Sequence, residues 1–151
     1  MNFETLLKQY QALLIGNWIS DLSNTSAFLN EYLSDINWVG FYLLASDQKL
    51  YLGPFQGKVA CTIIPLTKGV CGFAATNREI TMVPDVHQFD GHIACDSRSK
   101  SEIVIPLVKG GKLLGVLDVD SPSLNRFSNT EENEFLKKVV ELLLENSNSH
   151  I

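Results

Sequence analysis

The sequence contains no run approaching the ~20 consecutive apolar residues of a membrane-spanning helix, although hydrophobic residues make up 45% of it. Neither sign of charge forms a block: 12 basic and 17 acidic residues leave a net charge of −5. Nucleic acid and acidic membranes bind basic patches that displace their counterions, so neither is an expected partner. Residues 1–10 mix Glu4 and Lys8 with apolar side chains and lack an apolar segment followed by a small-residue cleavage site. No signal peptide is therefore expected, and the cytoplasm is the expected compartment. Cysteine is scarce: Cys61, Cys71 and Cys95 are an odd number with no CxxC pair. A secreted disulfide framework runs in even numbers and a zinc site shows tight pairs, so neither fits. In a reducing compartment such thiols serve as core filler or as chemistry. Repeats, linkers and low-complexity segments are also missing.

What is present suits one domain spanning residues 1–151, long enough to bury roughly 70% of the surface its unfolded chain exposes. Apolar residues at helical spacing predict helices over residues 3–14 and 18–33, separated at Gly16. Asn24-Thr25-Ser26 threatens a break in the second. Aromatic and β-branched runs predict strands over residues 38–44, 49–55, 58–66 and 79–83, with a short helix over residues 69–77. Residues 86–100 form a long polar stretch, of the kind that is usually functional. Strands over residues 102–108 and 112–120 flank Lys109-Gly110-Gly111, a hairpin signal because glycine tolerates positive φ. A last helix reaches Leu144, capped by Asn129 or Thr130, with Glu131, Glu132 and Glu134 suiting the dipole of its first turn. The fold class is α+β, an antiparallel sheet of about six strands flanked by helices.

Three groups of residues can carry chemistry. Cys95 lies among His87, His92, Arg98 and Lys100, whose charge favours a nucleophilic thiolate, while Asp96 opposes it. The alternative is a free cysteine tucked under a loop. Asp118 and Asp120 share one face of the apolar strand Leu113-Leu114-Gly115-Val116-Leu117-Asp118-Val119-Asp120. Either they share a pocket, where close like charges raise one pKa and make a proton donor, or the strand is ending and both point to water. Asp118, deeper in the strand, is the carboxyl expected to be most perturbed. Glu102 opens the partner strand and can reach the same place. Trp38 and Tyr42 share a strand face, and the gap at Gly40 between them leaves room for a small group to approach.

Together these segments resemble a known family. Asn37-Trp38-Val39-Gly40-Phe41-Tyr42, Leu52-Gly53-Pro54-Phe55-Gln56-Gly57-Lys58-Val59-Ala60-Cys61, Lys68-Gly69-Val70-Cys71-Gly72, Gly91-His92-Ile93-Ala94-Cys95-Asp96, Ser101-Glu102-Ile103-Val104 and Gly115-Val116-Leu117-Asp118-Val119-Asp120-Ser121-Pro122 look like the free methionine-R-sulfoxide reductases. The likeness runs in register from about Leu14 to Phe127. It implies a single GAF-like domain, no cofactor and no metal. The implied activity is reduction of free L-methionine (R)-S-oxide through a cysteine sulfenic acid and an intramolecular disulfide, with a thioredoxin-type dithiol as reductant. By the same resemblance Cys95 is the catalytic cysteine, and Cys71 and Cys61 are resolving or recycling thiols. Glu102, Asp118 and Asp120 are the pocket carboxylates, and Trp38 and Tyr42 the aromatics on the substrate's methyl side. Asn17 and Asp90 depart from the family pattern, which has an acid and a proline there.

Two other readings compete. One is a GAF module that senses a small ligand and whose thiols are incidental, though the chain is expected to act without an attached kinase, cyclase or DNA-binding segment. The other is a zinc site of three cysteines completed by His92 or His87, for which the spacing is poor. An apolar stripe on the first helix permits a homodimer and does not require one.

Overall fold

The computed structural model of the protein describes residues 2–91 and 98–147. Ten elements follow one another: α1 (Phe3–Leu13), α2 (Trp18–Tyr32), β1 (Trp38–Leu44), β2 (Lys49–Gly57), β3 (Ile63–Pro65), α3 (Gly69–Asn77), β4 (Thr81–Val83), β5 (Ser101–Lys109), β6 (Lys112–Ser121) and α4 (Thr130–Asn146). The strands form one six-stranded sheet in the order β3-β2-β1-β6-β5-β4, with every pairing antiparallel. This is the α+β architecture expected from the sequence.

Strand alternation divides the core in two. Val39, Phe41, Ile103, Ile105, Leu107, Leu117 and Val119 face a layer built by α1, α2 and α4, through Leu6, Tyr10, Leu22, Leu29, Phe135, Leu136 and Val139. Trp38, Tyr42, Val104 and Val116 point the other way, where α3 covers them with Val70, Cys71, Ala74 and Ala75. The first face packs through apolar side chains, with only the paired Ser101 and Ser121 polar at the strand ends. The second carries Glu102, Asp118 and Asp120, with Cys71 and Cys61 packed on the same side.

Helix ends follow local chemistry. Asn17 caps α2 by accepting from the Ser20 N–H at 3.0 Å, a task asparagine does as well as aspartate. Asp21, in the first turn of α2, is 1% exposed and accepts from the Ile15 and Gly16 N–H groups, which fixes the α1–α2 corner. Asn129 rather than Thr130 caps α4, accepting from the N–H groups of Glu131 and Glu132. Asn24-Thr25-Ser26 does not break α2. Thr25 and Ser26 return their hydroxyls to the carbonyls of Asp21 and Leu22, and Thr25 also meets the Tyr10 hydroxyl at 2.7 Å.

Two predicted strands are shorter than expected. Of residues 58–66 only Ile63–Pro65 pair, along the sheet edge with Tyr51, Leu50 and Lys49. Pro65 has no N–H to extend the ladder, so the edge ends there. Of residues 79–83 the first two are spent on leaving α3, whose C-cap Arg78 is left-handed at φ 53 and where the Glu79 N–H donates to the Ala74 carbonyl. The β5–β6 hairpin turns as expected, with Gly110 and Gly111 both at positive φ. The long polar stretch begins with a 3₁₀ turn, Val86–Gln88. Lys100 anchors its far end, donating to the Ser121 carbonyl at 2.7 Å and accepting from Val86 at 2.9 Å. Among the described residues no helix is long and apolar enough to cross a membrane.

Candidate active site

Register brings the acids together. Glu102 on β5 stands opposite Asp120 on β6, and Asp120 in turn stands opposite Trp38 on β1. Asp118, two residues back on the same face of β6, pairs with Val104 on one side and Gly40 on the other. Glu102 is 7% and Asp118 5% exposed, so neither is a strand-end acid pointing to water. Across this face lies α3, whose Cys71 places Sγ 3.9 Å from Glu102 Oε2. Cys71 Sγ, a Glu102 oxygen and an Asp118 oxygen all lie within 4.8 Å of one another.

Three ionisable groups this close and this dry cannot all be charged. Burial pushes the Asp118 carboxyl well above the usual aspartate range, and the Asp120 and Glu102 carboxylates beside it push the same way. Burial likewise pushes the Cys71 thiol up, reinforced by Asp118, Glu102 and Asp120. The Tyr42 phenol is also raised, by burial first and then by Asp118 and Cys71. Asp118 is the strongly perturbed carboxyl that its place in the strand suggested. Its Oδ1 is buried without a hydrogen-bond partner, and the Trp38 indole N–H on the same sheet face is in the same position. A divalent ion could be held by the Cys71, Glu102 and Asp118 donors. Protons meet the same electrostatic need, since Cys71 and Asp118 are both driven to their neutral forms. Of the zinc alternative's residues the set contains Cys71 but neither Cys61 nor His87, while Cys95 and His92 lie outside the described residues.

Aromatic side chains wall the acids. The Trp38 and Tyr42 rings stack at 5.8 Å, and Phe55 of β2 stacks on Trp38 at 5.2 Å. Here the sequence reading needs correction: Gly40 does not leave an opening for a ligand. A Cβ at Gly40 would run into the Phe55 Cβ and Cα and the Pro54 carbonyl. The missing side chain lets β2 approach until Phe55 lies on Trp38. Phe55 is therefore a site residue to which the sequence reading assigned no role. Pairing the two strands through the Ser46-Asp47-Gln48 turn was the signal that could have found it, but a register shift between Gly40 and Tyr42 hides the match.

The thiols fall into different states. Cys61 is disulfide-bonded, whereas Cys71 is free and buried. The Tyr42 hydroxyl donates to the Cys61 carbonyl at 2.9 Å and so ties the Cys61 segment to the aromatic wall. Cys95, with His92 and Asp96, lies outside the described residues. Of the predicted site residues, Trp38, Tyr42, Glu102, Asp118 and Asp120 share one sheet face, with Cys71 of α3 packed across it and Cys61 at its margin.

Residues 12–144 match the GAF domain family. The chain is 49% identical over 142 residues to the free methionine-R-sulfoxide reductase of Escherichia coli, a match covering 93% of this chain and 86% of that protein. It is 47% identical over 149 residues to the free methionine-R-sulfoxide reductase of Saccharomyces cerevisiae, covering 93% and 82%. The reduced form of the fRMsr of Staphylococcus aureus superposes with a TM-score of 0.92 at 49% identity, over 97% of this chain and 96% of that one. The free methionine-R-sulfoxide reductase of Neisseria meningitidis in complex with its substrate superposes with a TM-score of 0.90 at 39% identity, over 95% and 87%. Identity of 47–49% to these reductases over 93% of the chain shows that it belongs to the free methionine-R-sulfoxide reductase family of GAF-domain proteins.

Proposed function

We propose that the protein reduces free L-methionine (R)-S-oxide to L-methionine. The observation that carries the reading is Asp118, a carboxyl kept neutral by burial and by Glu102 and Asp120, with one oxygen left unpartnered on the aromatic-walled face. The Cys95 thiolate attacks the sulfoxide sulfur while a cluster carboxyl delivers a proton to the sulfoxide oxygen. Oxygen ends on Cys95 as a sulfenic acid, methionine leaves, and the sulfur has been reduced by two electrons. A second thiol condenses with the sulfenic acid, forming a disulfide and releasing water. Cys61 is only half-buried whereas Cys71 is sealed under α3, which supports Cys61 as this second thiol. A thioredoxin-type dithiol then reduces the disulfide by exchange.

Substrate selection follows from the same face. Ionised members of the cluster hold the ammonium of the free amino acid, a group that peptide-bound methionine lacks. Trp38, Tyr42 and Phe55 take the methyl side. A reducing compartment such as the cytoplasm would supply that dithiol.

The test is turnover of the two free methionine sulfoxide epimers and of a methionine-sulfoxide peptide, with dithiothreitol as electron source. The R epimer of the free amino acid should be consumed, and the other two should be poor substrates. Equal rates on all three would rule out a pocket that reads chirality and the free amine.

A further inference from the structure

Cys71 sits in surroundings opposite to those of a redox thiol. It is 4% exposed, in the first turn of α3, packed with Val70, Ala74 and Ala75. Among the described residues the groups acting on it electrostatically are Glu102 from β5 and Asp118 and Asp120 from β6, all acidic, and it acts in turn on the Tyr42 phenol of β1. A thiol that resolves a sulfenic acid works through its thiolate, which cationic neighbours and solvent access favour. Among the described residues Cys71 has no cationic group acting on it and little solvent access, and its sulfur is held as S–H. Its donor is directed at Glu102 Oε2, 3.9 Å away, a long bond of the kind sulfur makes.

We infer that Cys71 is a positioning residue: its S–H holds the Glu102 carboxylate against Asp118, and its sulfur takes no part in the redox cycle. The inference rests on the reductase reading above and divides labour among the thiols within it. The α3 helix thereby becomes part of the acid machinery. Glu102 has a long side chain on the sheet, and the contact from α3 restricts which way its carboxylate turns. Removing the donor leaves a buried carboxylate oxygen without that partner and loosens its distance to Asp118, so the proton-transfer step slows.

The discriminating experiment compares wild type, Cys71→Ser and Cys71→Ala, with free methionine R-sulfoxide as substrate. First-turnover methionine release and thioredoxin-driven turnover are read on the same samples. Loss of the donor in Cys71→Ala should slow first release about tenfold, equivalent to about 1.4 kcal/mol. Cys71→Ser, whose hydroxyl is a shorter but stronger donor, should lose clearly less. In both variants recycling should keep pace with the slowed chemistry. Alkylation and mass mapping of wild type oxidised by excess substrate should find Cys71 as a free thiol. Cys71 in a disulfide would overturn the inference. Wild-type first release with lost recycling in both variants would do the same. Equal slowing in serine and alanine would also defeat it, because the sulfur's volume rather than its donor would then matter. If a variant does not fold, the wild-type alkylation map decides. Failure of the reductase reading shows separately, as absence of turnover in wild type.

Discussion

Glu102 and Asp120 face each other directly across the β5–β6 pair, so the strand register itself builds the acid cluster. Asp118 follows on the same face two residues away and is the most deeply buried of the three. Like charges directly opposite on a sheet are destabilising. An acid pair held at this cost beside the buried Asp118 is the kind of feature that functional sites carry.

Asp118→Asn separates those two effects. The amide keeps shape and hydrogen bonding but has no transferable proton, so the single-turnover rate should fall by ~10² to 10⁴. Stability should move the other way. A carboxyl whose folded pKa is raised binds more protons when folded than when unfolded. Wild-type stability should therefore decline as pH rises above the ordinary aspartate value, about 3.9, until the folded group has titrated. Urea midpoints from pH 4 to pH 9 should show that slope in wild type and a flatter profile in Asp118→Asn. Parallel profiles would mean that Asp118 titrates normally in the fold.

Cys61→Ser tests the resolving step. The first methionine should be released at close to the wild-type rate, and thioredoxin-driven turnover should collapse for want of the disulfide. Rapid-quench release set beside a coupled thioredoxin assay reads both. Normal recycling in this variant would take Cys61 out of the cycle.

Gly40→Ala should damage both the sheet and the pocket. The added methyl presses on the Phe55 Cβ and Cα, and overpacking of this kind typically costs about 1–3 kcal/mol. Because Phe55 is stacked on Trp38, KM for the sulfoxide should rise as the aromatic wall shifts. Denaturant midpoints and steady-state kinetics on the same preparation check the two expectations. Unchanged values in both would show that β2 can withdraw freely.

Arg126→Lys provides a contrast away from the site. Arg126 forks onto both oxygens of Glu132 at 2.6 and 3.1 Å and donates twice to the Ser34 carbonyl, tying the end of α2 to α4. A lysine cannot make the planar fork, so the variant should lose about 1–3 kcal/mol of stability. First-turnover chemistry should be unaffected, measured at a temperature where the variant remains folded. A catalytic defect there would show that the clamp reaches the pocket.

The sequence by itself determined the class of fold and most element positions, because these rest on local signals. Strand alternation put Trp38 with Tyr42 and Asp118 with Asp120, Gly110-Gly111 turned the hairpin, and Asn129 started the last helix. The resemblance named the family and its set of residues. Tertiary structure decided what depends on approach across the chain. It showed that Gly40 admits Phe55 instead of a ligand, since only packing of β2 on β1 reveals what fills a missing side chain. It separated Cys71, sealed against three carboxylates by α3, from Cys61 at the margin, because a thiol's reactivity is set by neighbours that sequence distance does not report. Asp118's neutrality is likewise a property of burial and of register with β5, which no stretch of β6 read alone contains.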